Sequence, residues 1–166
     1  MTVIPDPISM VLLARHDALE LLAGAYAKVA VPTSIIEVIE STALDKGISE
    51  GWLELLDPDI DHVMRVDEIQ SRSGVKLSVH EEACIALALQ LRADAVLTID
   101  REVQLAAKLL GLRVDGISWL VMAASKSGRI SKEEGIRLFH KICKEIVPGL
   151  GIEVAFQNSQ QWQRTD

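Results

Sequence analysis

Three short apolar runs, Thr2-Val3-Ile4, Val29-Ala30-Val31 and Ala95-Val96-Leu97-Thr98-Ile99, are separated by long stretches with helical periodicity. Strands so far apart do not pair through tight hairpins; they are joined by crossover helices, which builds a parallel sheet. Helices then cover both faces of that sheet. The expected architecture is α/β: a single three-layer domain with a mainly parallel central sheet flanked by helices. Aromatic residues are only 4% of a chain that is 49% hydrophobic, so its core is expected to consist of Leu, Ile, Val and Ala. A length of 166 residues suits one such core.

The pattern resolves into an ordered series. Thr2–Ile4 forms a strand closed by Pro5-Asp6-Pro7, which leaves Asp6 at its exit because residues before proline stay extended. Helical patterns cover Met10–Ala14 and then Ala18 towards Leu22, with Gly24 as a stop. After Val29–Val31, Pro32-Thr33-Ser34 opens a helix expected to run through Ile39 to about Leu44. Trp52–Leu56 reads as an edge strand, and Asp59–Ser71 as a helix ended by Ser73-Gly74. Ser78-Val79-His80-Glu81 fits a capping box at the head of a helix reaching Arg92. The strand Ala95–Ile99 leads to a helix from Glu102 to Leu110, stopped at Gly111. Leu112–Val114 is a further short strand, and Asp115-Gly116 turns. An apolar helix over Ile117–Ser125 precedes a second capping box, Ser131-Lys132-Glu133-Glu134, which heads a helix to about Val147. Gly151–Phe156 is expected to be a last strand. With no repeat or linker in view, residues 1–156 are expected to form one domain and 157–166 a polar tail.

Several classes of function fall away. No apolar stretch reaches the roughly 18 residues of a membrane span, and the N-terminal residues lack the basic region of a signal peptide. Cys84 and Cys143 are isolated within helical patterns, as expected for reduced thiols in the cytoplasm. Neither a P-loop nor a GxGxxG motif occurs. His140 and Cys143 lie one turn apart with no second pair to complete a zinc set. The net charge of −7 makes the chain a poor general binder of phosphate backbones. Late positive charge at Lys126, Arg129, Lys132, Arg137, Lys141 and Lys144 reads as a solvated helix face.

The acids carry what chemistry there is. In open parallel sheets, ligands bind outside the carboxyl ends of the strands. Asp6 and Asp100 are both expected at such ends, and Glu81 and Glu82 open a helix between them. Each acid also has a plain structural role: Asp is a favoured N-cap, and first-turn acids complement the helix dipole. Several carboxylates converging on one sheet edge, however, do not all stay ionised cheaply without a cation between them.

The order of these segments resembles that of PIN-domain proteins. Val3-Ile4-Pro5-Asp6, with its helix ending Leu19-Glu20-Leu21-Leu22, is similar to their first strand and helix. Val29-Ala30-Val31-Pro32-Thr33-Ser34-Ile35-Ile36-Glu37 resembles the second strand and the helix carrying the next acid. His80-Glu81-Glu82-Ala83 resembles the third acidic motif, and Ala95–Asp100 with Ala106–Leu112 the fourth. Gly116 to Phe156 resembles the C-terminal extension of a toxin-like PIN ribonuclease subgroup (VapC-like). The resemblance implies a ribonuclease dependent on Mg²⁺ or Mn²⁺. Asp6, Glu82 and Asp100 would be the metal-binding and catalytic acids, and Glu37 an approximate fourth. That acid lies one residue later in the family pattern, where Val38 stands here; Glu40 is an alternative one turn on. Pro7 and Ile8 replace the hydroxyl residues that often follow the first Asp, and Arg101 stands where an acid is common. The implied partners are an RNA substrate, a small antitoxin protein and a second copy in a homodimer, with no membrane. A binding module that keeps the fold while its metal site has decayed is the alternative.

Overall fold

The computed structural model describes residues 1–39 and 42–146. Its strands are β1 (Thr2–Pro5), β2 (Lys28–Val31), β3 (Leu53–Leu55), β4 (Ala95–Leu97) and β5 (Val114–Asp115). They form one five-stranded sheet in the order β3-β2-β1-β4-β5, and every pairing is parallel. The helices of this sheet unit are α1 (Pro7–Arg15), α2 (Glu20–Ala25), α3 (Thr42–Ser49), α4 (Ile60–Ser73), α5 (Val79–Gln90) and α6 (Arg101–Leu109).

The strand order decides where a site can lie. From β1 the chain steps outward to β2 and β3 on one side, then returns to place β4 and β5 on the other. Right-handed crossovers put α1 to α3 on one face and α4 to α6 on the opposite one, where α4, α5 and α6 pack on each other. The reversal of direction falls between β1 and β4, the kind of switch point outside which parallel sheets bind ligands. The strands read as unbroken apolar runs because both faces are covered. Val3, Ile4, Val29, Ala30, Val31, Ala95, Val96 and Leu97 have no exposed surface.

Four expectations change. The helix from Pro32 to Leu44 is instead a 3-10 helix, Thr33–Glu37, followed by α3. The run Ile35-Ile36-Glu37-Val38-Ile39 is rich in β-branched residues, which crowd an α-helical turn. Gly24 does not stop α2, which continues to Ala25. The strand at 95–99 ends at Leu97, where the Thr98 side chain and Asp100 turn the chain into α6. The strand expected at Leu112–Val114 instead begins at Val114, because the Leu112 N–H is still spent on the Ala107 carbonyl, closing α6. The expected strand 151–156, the tail 157–166 and Glu40 lie outside the described residues.

Two compact units divide at Gly116. The second contains α7 (Ile117–Lys126) packed on α8 (Lys132–Ile146). Ile117, Leu120, Val121, Ala124, Phe139, Ile142 and Cys143 are buried, while Lys126, Arg129, Arg137, Lys141 and Lys144 are exposed. Among the described residues, no helix is long and apolar enough to cross a membrane.

Both capping boxes form. Ser78 Oγ accepts from the Glu81 N–H and Glu81 Oε2 accepts from the Ser78 N–H, at 3.3 and 2.7 Å. Ser131 and Glu134 repeat the exchange at 3.1 and 2.7 Å. Ser78→Ala is expected to cost about 1 kcal/mol. The check is a chemical-denaturation midpoint, and a value equal to wild type would show that the box adds nothing.

Candidate active site

Asp6 leaves β1 fully buried. Its N–H extends the ladder to the Leu97 carbonyl at 2.9 Å. Pro7 follows at the first helical position, where a missing N–H costs nothing. Asp6 Oδ1 accepts from the Ser9 N–H at 2.8 Å and so caps α1. Oδ2 accepts from the Thr98 hydroxyl at 2.5 Å. Burial dominates its ionisation and pushes the carboxyl up to about 6. The Ser9 and Thr98 hydroxyls and the Ser9 N–H oppose that rise, and the negative charge of Glu81 adds to it.

The second strand-end acid is joined to the first through Thr98. The Asp100 N–H donates to Thr98 Oγ1 at 2.9 Å. Because that oxygen already receives a donor, the single hydroxyl proton of Thr98 is committed to Asp6. Asp100 Oδ1 accepts from the Glu102 and Val103 N–H groups at 2.7 and 3.1 Å, capping α6. Thr98 is itself fixed by its N–H, which bonds to the Asp115 carbonyl at 3.0 Å. The Asp115 side chain, at the end of β5, is held by structure alone: Oδ2 accepts from Tyr26 Oη and from Arg113, each at 2.8 Å. Burial and that hydrogen bond raise the Tyr26 phenol.

The other acids enter from neighbouring elements. Glu81, expected as a capping residue, also projects its charge onto Asp6 and onto the buried Cys84 thiol, which burial raises well above its usual range. Glu82 is half-buried in the same first turn. Glu37 lies on the 3-10 helix, whose three-residue turn differs from the α-helical register expected from the sequence. Its side chain is 69% exposed, 3.9 Å from His80 Nε2. His80 is half-buried, and its Nδ1 sits 3.2 Å from Ser34 Oγ. It thus ties the segment after β2 to the head of α5.

Ser9 escapes a reading of the sequence, which finds only Pro7 and Ile8 after the first Asp. Its hydroxyl is buried and has no hydrogen-bond partner within acceptable geometry, although it lies close enough to lower the Asp6 pKa. The signal was a hydroxyl three positions beyond an N-cap, where Glu or Gln is the usual choice.

Among the described residues, no three His, Cys, Asp or Glu side chains gather as a ready metal cage. Mg²⁺ rarely needs one: it keeps several waters and binds through one or two carboxylates. The side-chain donors at Asp6, Thr98 and Asp100 are hard oxygens, which suit such an ion. The donor types at Asp6 and Asp100 suit a hard divalent cation, while the Asp6 carboxylate has no exposed surface and both its oxygens already accept hydrogen bonds.

Comparison with known proteins bears on the family and the fold. A family model described as a PIN domain matches residues 2–145. The chain belongs to the PIN-domain family. It is 31% identical over 87 residues to a protein named Endoribonuclease Nob1 from Methanocaldococcus jannaschii, a match covering 51% of this chain and 44% of that one. The chain thus spans under half of that relative's length. Among solved structures, it resembles a PilT N-terminus domain protein from the archaeon Sulfolobus solfataricus P2. That likeness has a TM-score of 0.50 at 18% identity, covering 75% of this chain and 93% of the other, and it bears on the fold alone.

Proposed function

We propose that this chain is a metal-dependent endoribonuclease of PIN type, with its site at the exits of β1 and β4. The observation that carries this reading is the Asp6–Thr98–Asp100 link at the reversal point of the sheet. Family membership and the endoribonuclease name of a relative support it. Asp6 and Asp100 would hold Mg²⁺ or Mn²⁺, with Glu82 ligating or orienting water and Glu37 as the remaining acid of the set. Bound there, the cation supplies a Lewis acid and an activated water for phosphodiester hydrolysis. The chain's own part is positional: Thr98 fixes the rotation of Asp6, and the α6 cap fixes Asp100. A cation at this edge would also offset the repulsion between an RNA backbone and a protein of net charge −7.

The finer proposal is the toxin half of a toxin–antitoxin pair, a cytoplasmic homodimer held by a small antitoxin protein. Its support is the helix pair α7 and α8, where the resemblance expects the subgroup's extension. A second reading, a binding module with a decayed site, is favoured by one observation: Asp6, Glu81 and Asp100 all spend oxygen atoms on helix caps. Purified protein incubated with structured RNA separates the two readings. The nuclease predicts cleavage with Mn²⁺ that EDTA stops and that falls at least 100-fold in Asp100→Asn. Equal cleavage by the variant points to a contaminant, and no cleavage by either protein favours the module.

A further inference from the structure

Charge is divided unevenly along this chain. Residues 1–116 hold 19 of the 24 Asp and Glu, whereas in residues 117–146 Lys126, Arg129, Lys132, Arg137, Lys141 and Lys144 outnumber Glu133, Glu134 and Glu145. Helix α8 gathers much of this positive charge on one face. Gly135, Phe139, Ile142 and Cys143 form its buried side. Arg137, His140, Lys141 and Lys144 follow at i, i+3, i+4 and i+7, so they line one exposed stripe on the side opposite. No acid interrupts it: Glu133 and Glu134 stand in the first turn, and Glu145 comes after Lys144. Hydrogen bonding to Ser131, and to a smaller extent the Arg137 charge, lowers the Glu134 carboxyl. A merely solvated helix face gains by alternating its signs, because like charges one turn apart weaken the helix. The sheet unit does so, pairing Lys46 with Glu50 and Arg72 with Glu68 at i, i+4. In α8 the same spacing sets Lys141 against Arg137, with Lys144 three residues further on. An anion laid across the stripe removes that repulsion.

We propose that the exposed stripe of α8 is a binding surface for the phosphate backbone of RNA. This inference rests on the ribonuclease reading above and names where that substrate's backbone is held. A chain of net charge −7 repels a polyanion over most of its surface, so backbone contact needs a local cationic face. Arg and Lys side chains supply such contacts by donating to phosphate oxygens, without reading sequence. The composition of the face chooses phosphates over an acidic protein. Protein interfaces are anchored by apolar and aromatic side chains at their centre. From Ile117 to Glu145 no large apolar side chain is exposed, and the stripe itself carries none. The face offers charge and hydrogen-bond donors with no anchor beside them.

Fluorescence anisotropy of a fluorescein-labelled single-stranded RNA, titrated with the full chain in EDTA over a series of KCl concentrations, tests the assignment. The variant R137Q/K141Q/K144Q changes exposed side chains alone and relieves like-charge repulsion, so it is expected to melt at or near the wild-type temperature. Each lost phosphate contact lowers the slope of log affinity against log salt by about 0.7, so this variant should lose about 2 from the slope. Its affinity at ~0.1 M KCl should fall roughly 10- to 100-fold. A control, K28Q/R65Q/R72Q, removes the same charge from the sheet unit and should bind within about twofold of wild type, since salt screens distant charges. Equal losses in the two variants would reduce the effect to net charge and overturn the assignment. Wild-type affinity and slope in the α8 variant overturn it too. So does a loss of self-association in sedimentation with RNA binding unchanged, which would give the stripe to the acidic unit of a second copy. Cleavage in Mn²⁺ is scored separately. A chain that binds through α8 but never cleaves upholds this surface and ends the nuclease reading. A chain that cleaves while the α8 substitutions leave binding untouched does the opposite.

Discussion

Asp6→Asn makes the metal-free protein more stable at neutral pH, while abolishing any cleavage that depends on the site. In the folded chain burial pushes the Asp6 carboxyl up to about 6 from an ordinary 3.8. Folding therefore favours the protonated acid. Its contribution to stability is complete below pH 3.8, declines as pH rises from 3.8 to 6, and is gone above that window. The rise corresponds to about 3 kcal/mol between the two ends. Asparagine mimics the protonated acid in shape and in carrying both a donor and an acceptor, so the variant does not pass through this decline. In EDTA, denaturation midpoints of the two proteins should nearly coincide at pH 4 and separate by pH 7.5, with Asp6→Asn ahead by about 2–3 kcal/mol. A difference that stays constant with pH would show that Asp6 is not held in a desolvated, destabilised state. Stability given up at one buried acid is the pattern expected of a functional site rather than of a structural cap.

The reverse sign is expected at Thr98. Thr98→Val keeps the shape but removes the one hydroxyl that serves both strand-end acids. An ionised, buried Asp6 loses a charge-assisted donor, and the Asp100 N–H loses its acceptor. Together these changes cost about 2–4 kcal/mol at pH 7.5, or a fall in Tm of roughly 4–16 °C for a chain this size. Thr98→Ser retains the hydroxyl and should recover most of the loss. At pH 4 the deficit should shrink, because protonated Asp6 no longer needs the donor. Equal melting of the Val and Ser variants at pH 7.5 would mean that the hydroxyl does not hold the two acids together.

Local physics made much of this legible in the chain. Apolar runs buried on both faces, capping boxes at Ser78 and Ser131, and an Asp before the first turn of α1 and of α6 are all signals within a few residues. They placed Asp6 and Asp100 on the same sheet edge before any geometry was available. The contact that joins them was not legible, because Thr98 reaches Asp6 across 92 residues and depends on β1 pairing with β4. The local turn around Glu37 was not legible, because the β-branched run there forms a 3-10 helix where an α-helix was expected. Glu81 was legible as a cap, but not as a charge bearing on Asp6, which depends on where α5 points. Ser9 was hidden for a different reason: a serine in an apolar helix looks ordinary until the fold sets it beside a buried carboxyl.

The central claim is that a divalent cation sits between the exits of β1 and β4. Crystals of the full chain soaked in millimolar Mn²⁺ and measured at the manganese absorption edge test it most directly. The account predicts an anomalous peak at coordination distance from Asp6 and Asp100 carboxylate oxygens. An anomalous map with no peak at that edge of the sheet, in crystals where the edge is open to solvent, would contradict it.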